Sequence, residues 1–168
     1  MIKPSGVSHV AMVTADLDRY RDFYENVVGL DTALVLGAAS EHGRHAILFA
    51  GATVLHVFEV PGFDPAGHGI GSAMFERGRL DHLGFTVADE AALGEVRDRL
   101  VAAGASSGEI RVLGPTLSVR YEDPDGFEGE IDCFDPAFDP SAIGADAEVV
   151  DPTRLDRAQR ALQSVTAA

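Results

Sequence analysis

Leu80-Asp81-His82-Leu83-Gly84-Phe85-Thr86-Val87-Ala88-Asp89 repeats, 73 positions on, the plan of Ser8-His9-Val10-Ala11-Met12-Val13-Thr14-Ala15-Asp16. In both copies a histidine stands six residues before an Ala-Asp pair, inside a short apolar run that reads as a strand. In the first copy Val7, His9, Ala11 and Val13 share one face, and Val10 and Met12 take the other. A helical pattern follows each strand. Asp16 is placed to cap the first helix, where Leu17, Tyr20, Phe23, Tyr24, Val27 and Val28 recur at helical spacing until Gly29. Asp89 caps the second, with a stripe of Ala92, Leu93, Val96, Leu100 and Val101 that ends near Gly104.

Three further strands are predicted behind each helix. In the first half they fall at residues 32–36, 45–50 and 53–60, the last two forming a hairpin about Gly51-Ala52. In the second they fall at 109–113, 117–121 and 129–134, with Asp123-Pro124-Asp125-Gly126 as a type I or II turn signal. Each half therefore reads strand, helix, strand, strand, strand, an α+β arrangement written twice. Residues 61–71, with two prolines and four glycines, form a connector, and a short helix is expected at 73–77 before Gly78. One domain over residues 5–135 is expected, built of modules at about 5–60 and 79–135. Residues 136–168 form a C-terminal extension, in which Asp151-Pro152 starts a final helix with Leu155, Ala158, Leu162 and Val165 on one face.

Composition narrows the function. Thirteen Lys and Arg against 27 Asp and Glu give a net charge of −14, whose field repels a phosphate backbone, so nucleic acid is not an expected partner. No apolar run approaches the roughly 20 residues that cross a bilayer, and Met1-Ile2-Lys3-Pro4-Ser5-Gly6 has no signal core; a cytoplasmic location is expected. Cys133, the single cysteine, suits a reducing compartment and reads as a packing residue.

The ends of the halves correspond as well as their beginnings. His9 to His56 spans 47 positions and His82 to Glu130 spans 48, so His56 and Glu130 take equivalent places on the last strand of each half. Alternation puts Val54, His56 and Phe58 on one face and Leu55, Val57 and Glu59 on the other, so Glu59 is not interchangeable with His56. A lone strand histidine usually packs or hydrogen-bonds. Four candidates at duplicated spacing carry more weight: if first and last strands line a concave sheet, His9, His56, His82 and Glu130 converge. Three imidazoles and a carboxylate suit one divalent ion, Zn, Ni, Co or Fe(II), and a six-coordinate ion keeps two positions for water or substrate. His45 begins a strand and is a candidate acid or base. His42 and His68 fall in glycine-containing loops and read as solvated, while Arg120 and Tyr121 are candidate substrate contacts or surface residues.

From about Ser5 to Phe134 the chain resembles the vicinal oxygen chelate superfamily. That superfamily includes glyoxalase I, methylmalonyl-CoA epimerase, extradiol dioxygenases, fosfomycin-resistance thiol transferases and bleomycin-resistance proteins. Ser8-His9-Val10, Asp81-His82-Leu83 and Asp123-Pro124-Asp125-Gly126-Phe127-Glu128-Gly129-Glu130 carry the resemblance. It implies paired βαβββ modules forming a cup around a divalent metal, and a homodimer. His9, His82 and Glu130 match ligand positions directly. His56 matches a position that is glutamate in many glyoxalases and glutamine in the epimerase, so a carboxylate base is missing on that side.

The expected function is a metal-dependent isomerase or lyase, glyoxalase- or epimerase-like, acting on vicinal oxygens or a carbonyl of a small substrate. Glu130 and His45 are its candidate proton carriers. The alternatives are a non-haem iron dioxygenase of the same superfamily and a metal-free ligand-binding or drug-sequestering protein. Against extradiol cleavage, no histidine lies between Leu83 and Glu130, and Arg120 stands three residues before Asp123, where that pattern has tyrosine.

Overall fold

A computed structural model describes residues 6–66, 73–76 and 80–139, together with Thr153, Arg157 and Arg160. The elements run β1 (His9–Thr14), α1 (Leu17–Phe23), β2 (Asp31–Leu36), β3 (His45–Ala50), β4 (Thr53–Glu59), β5 (Leu83–Thr86), α2 (Glu90–Ala102), β6 (Ile110–Leu113), β7 (Thr116–Glu122) and β8 (Glu128–Phe134). The strands form two four-stranded mixed sheets of matching order, β1-β4-β3-β2 and β5-β8-β7-β6. This is the α+β plan expected from the duplication. The chain divides into two compact units. One takes the residues up to Asp81 with Glu122–Glu128, and the other takes His82–Tyr121 with the residues from Gly129 on.

In the first unit β1 runs parallel to β4, and β3 is antiparallel to both β2 and β4. The β3–β4 loop has only two residues between the pair Ala50 and Thr53, and Gly51 meets its tightness with φ of 58°. The Asp16 carboxylate accepts the Arg19 amide at 3.0 Å, as an N-cap should. α1 widens into a π-helical stretch, Tyr24–Val28, and stops at Gly29, where φ reaches 99°. There the Gly29 and Leu30 amides both donate to the Tyr24 carbonyl, at 2.9 and 2.8 Å. Leu17, Tyr20, Phe23 and Tyr24 are buried, as are Ala46, Leu48, Leu55 and Val57 from one face of the sheet. The Tyr20 and Tyr24 rings stack at 4.4 Å.

The second unit repeats the scheme with β5 parallel to β8. Asp89 caps α2 by accepting the Ala92 amide at 2.9 Å. Leu93, Val96 and Leu100, one stripe of α2, are buried along with Val119, Tyr121, Ile131 and Cys133, while Val101 is largely exposed. Cys133 therefore packs, and burial pushes its thiol pKa upward. Tyr121, a candidate substrate contact in the sequence, is a core residue whose ring fills the space beside Gly129. The helix expected at 73–77 is a turn over residues 73–76, closed by the Glu76 amide on the Ala73 carbonyl at 3.0 Å. Asp81 accepts the Phe75 amide at 2.6 Å, and such a local bond competes with helix formation. Of the expected final helix, Thr153, Arg157 and Arg160 are helical and the rest lies outside the described residues.

The Asp123-Pro124-Asp125-Gly126 turn closes as its residues predict: the Gly126 amide donates to the Asp123 carbonyl at 2.9 Å, and Gly126 has φ of 82°. Its carboxylates pack in the first unit. Arg19 pairs with Asp125, and the Tyr24 hydroxyl donates to Asp123 Oδ2 at 3.2 Å. The Asp125 and Phe127 amides both donate to Asp123 Oδ1 at 2.9 Å. Burial nevertheless dominates and pushes the Asp123 carboxyl up to about 6, with the Asp125 charge adding to the rise against these hydrogen bonds.

Two predictions follow from this packing. A Cβ at Gly129 would stand 2.2 Å from Tyr121 Cζ, and a buried ring cannot yield that much. Gly129→Ala should cost about 1–3 kcal/mol in urea unfolding, with most of it recovered when Tyr121 is also shortened to Leu. Asp123 holds its proton more tightly folded than unfolded, so its contribution to stability is complete below about pH 4 and is lost as pH rises through about 6. Asp123→Asn keeps the acceptor oxygen without the charge. The parent's stability relative to that variant should fall by about 2–3 kcal/mol between pH 4 and pH 7; a difference independent of pH would contradict the assignment.

Candidate functional site

Strand register decides where the candidate donors stand. In the first unit Ala11 pairs with His56 across the parallel β1–β4 ladder, and in the second Gly84 pairs with Glu130 across β5–β8. His9 lies two residues before Ala11, and His82 lies two residues before Gly84, just outside β5. The duplication in sequence is thus a duplication in register.

On the open face of the first sheet, opposite the buried Leu55 and Val57, stand His9, Val54, His56 and Phe58. β3 adds His45, which pairs with Phe58, so its ring lies 5.0 Å from that of His56 and 5.3 Å from that of Phe58. The exposed His42 ring, 6.2 Å from His45 and 6.4 Å from Phe58, borders the same cluster. His56 and Phe58 are closest, at 4.1 Å. Nε2 of His56 is buried and has no hydrogen-bond partner among the described residues. Burial first, then the positive potential of His45, His9 and His42, lowers its pKa, so the imidazole is neutral at pH 7. His45 is 5% exposed, and its Nδ1 lies 2.8 Å from the Gly43 carbonyl. A carbonyl only accepts, so Nδ1 carries a proton and donates to it. His9 is exposed, with Nδ1 3.0 Å from the Ser8 hydroxyl oxygen.

Glu59 lies on the opposite face, as alternation requires. Its Oε1 accepts the Leu17 amide at 3.0 Å and Arg44 Nη1 at 2.8 Å, so it anchors the start of α1. Arg44 also pairs with Asp18 at 2.5 Å, the chief cause of its raised pKa.

In the second unit Glu130 is 6% exposed and has two different neighbours. Arg120 Nε donates to Oε1 at 2.9 Å, while His82 Nε2 stands 3.7 Å from Oε2. That second distance is too long for a hydrogen bond. It suits one shared ion, since two ligands each about 2.1 Å from a zinc-like ion lie roughly 3–3.7 Å apart. Asp132, two residues after Glu130 and on the same face, escaped the sequence reading. Its carboxylate leans over Gly84, where a Cβ would be 2.8 Å from Oδ2. Burial raises its pKa, Ser118 counters, and the charges of Glu130 and His82 act in opposite directions. The period of two on β8, which singled out Glu130, also reaches Asp132.

Each unit therefore brings together its own pair, His9 with His56 and His82 with Glu130. Among the described residues no group of three or more His, Cys, Asp or Glu side chains is arranged to hold a metal ion. The donors nevertheless fit one chemically: neutral or neutralisable imidazoles, one of them with an orphaned buried nitrogen, and a carboxylate at ion-sharing distance from a ring. No helix among the described residues is long and apolar enough to cross a membrane.

Comparison with solved structures places the fold. A glyoxylase/bleomycin resistance protein/dioxygenase domain from Frankia sp. EAN1pec is 25% identical, with a TM-score of 0.59 over 79% of this chain and 100% of that one. Lactoylglutathione lyase from Agrobacterium tumefaciens is 24% identical, with a TM-score of 0.54 over 77% of this chain and 93% of that one. TnmS3, an antibiotic binding protein from Streptomyces sp. CB03234, is 20% identical, with a TM-score of 0.56 over 80% and 100%. At such identities the last two bear on fold alone. Among curated proteins none matches this chain. The family model matches residues 6–131, a stretch that runs from the start of β1 into β8 and holds all four candidate donors, and the chain belongs to the Glyoxalase/Bleomycin resistance protein/Dioxygenase superfamily.

Proposed function

We propose that this chain is a metal-dependent isomerase or lyase of its superfamily, glyoxalase- or epimerase-like, acting beside a carbonyl or a pair of vicinal oxygens on a small substrate. His9, His56, His82 and Glu130 would hold one divalent ion, Zn, Ni, Co or Fe(II). Such an ion supplies a positive charge that stabilises negative charge on substrate oxygens. The observation that carries the reading is His56, a neutral imidazole whose buried Nε2 has no partner among the described residues. A buried nitrogen left unsatisfied costs stability unless it has a ligand to meet.

His45 is the proton carrier in this reading. The Gly43 carbonyl holds its Nδ1 proton, so Nε2 is the basic atom, and Phe58 and His56 fix the ring from the side. It would supply the base missing where His56 stands at a position that is glutamate in many glyoxalases. Glu130 is the second carrier, held by Arg120 at Oε1. A homodimer is part of the proposal, and the exposed Ile110, Val112 and Leu113 of edge strand β6 support it.

Two substitutions test the roles separately. His56→Ala should weaken Co(II) binding, followed by visible absorption, roughly 100-fold or more; unchanged affinity would remove His56 from the ligand set. His45→Gln should leave Co(II) affinity within about threefold of the parent while slowing solvent deuterium exchange into carbonyl acids and thioesters about 10²- to 10⁴-fold. A matched loss of metal affinity would make His45 a ligand instead.

A further inference from the structure

We propose that Arg120 is a positioning residue that stands in for the cation at Glu130: it neutralises the carboxylate when no ion is bound and weakens the hold on an ion that binds. The inference rests on the reading of Glu130 as a metal ligand. A carboxylate that is 6% exposed needs a counter-charge, and Arg120 provides it at 2.9 Å. Two other arginine pairs of the second unit, Arg97 with Asp98 and Arg111 with Glu109, involve carboxylates that are 70% and 60% exposed and need none.

Two features make the arrangement specific. The two oxygens of Glu130 are divided, Oε1 on the guanidinium and Oε2 facing His82, so the arginine selects the oxygen offered to an ion. Asp132, two residues on and on the same face, places a second acidic side chain beside Glu130. An arginine remains charged at every accessible pH, so this compensation is always present. A divalent ion held by Glu130 would share the carboxylate with a positive charge already on it, and like charges on one carboxylate repel. Arg120 therefore favours the metal-free state over the metal-bound one.

The test uses the full chain, stripped with chelator and titrated with Co(II) alone. Arg120→Met should bind Co(II) about tenfold tighter than the parent. Its metal-free melting temperature should fall by several degrees, and the deficit should narrow at saturating Co(II). Arg120→Lys, which keeps the charge, should retain affinity within about threefold of the parent. Should Arg120→Met not fold without metal, Arg120→Gln carries the same expectation. Unchanged or weaker binding in the uncharged variants, or equally tight binding in the lysine variant, overturns the inference. Glu130→Gln separates the two levels. If it keeps parental affinity, Glu130 is not a ligand and both readings fall; if it loses affinity while the uncharged Arg120 variants gain none, only the role of Arg120 falls.

Discussion

Everything at the candidate site depends on the parallel pairing of the first and last strands within each half. A parallel ladder fixes which residues share a face, and a slip of one residue would invert both faces. In the first half such a slip would drive His56 into the core and turn Leu55 and Val57 outward. The burial of those two side chains, and the Glu59 carboxylate on the first amide of α1, hold the register against it. In the second half Ile131 and Cys133 are the buried residues, with Glu130 and Asp132 left on the other face. The hydrophobic pattern that builds the core therefore also aims the donors.

The halves share a register and differ in charge. The first gathers imidazoles against Phe58, where burial and mutual repulsion hold His56 neutral. The second gathers carboxylates and offsets them with the guanidinium of Arg120. Three neutral imidazoles and one carboxylate would leave a divalent ion with a net positive charge, which suits attraction of anionic substrate oxygens. The chain as a whole is strongly acidic, so any such attraction would be local to the proposed ligands.

Much of this was legible in the sequence because it rests on short-range rules. Asp16 and Asp89 capped the helices where expected, Gly29 ended the first, and alternation separated His56 from Glu59. The equivalence of His56 and Glu130, inferred from spacing, reappears as the pairs Ala11 with His56 and Gly84 with Glu130. Features that need pairing between strands were not legible. His45 stands beside His56 through the antiparallel register about Gly51-Ala52, but the sequence does not display the close ring contacts it makes there. Tyr121 read as a surface or substrate residue because its partner is the empty side of Gly129, an absence that sequence alone does not display. The turn at 73–76 replaced a helix because Asp81, several residues away, accepts a helix-forming amide.

The central proposal is that two equivalent pairs of donors would serve one ion. X-ray absorption of protein loaded with Co(II) or Zn tests it most directly, with metal content measured on the same sample. The account predicts one ion per chain in a shell of nitrogen and oxygen only, with scattering from three imidazoles. Uptake below about a tenth of an equivalent, two ions per chain, or a shell with no more than one imidazole would contradict it.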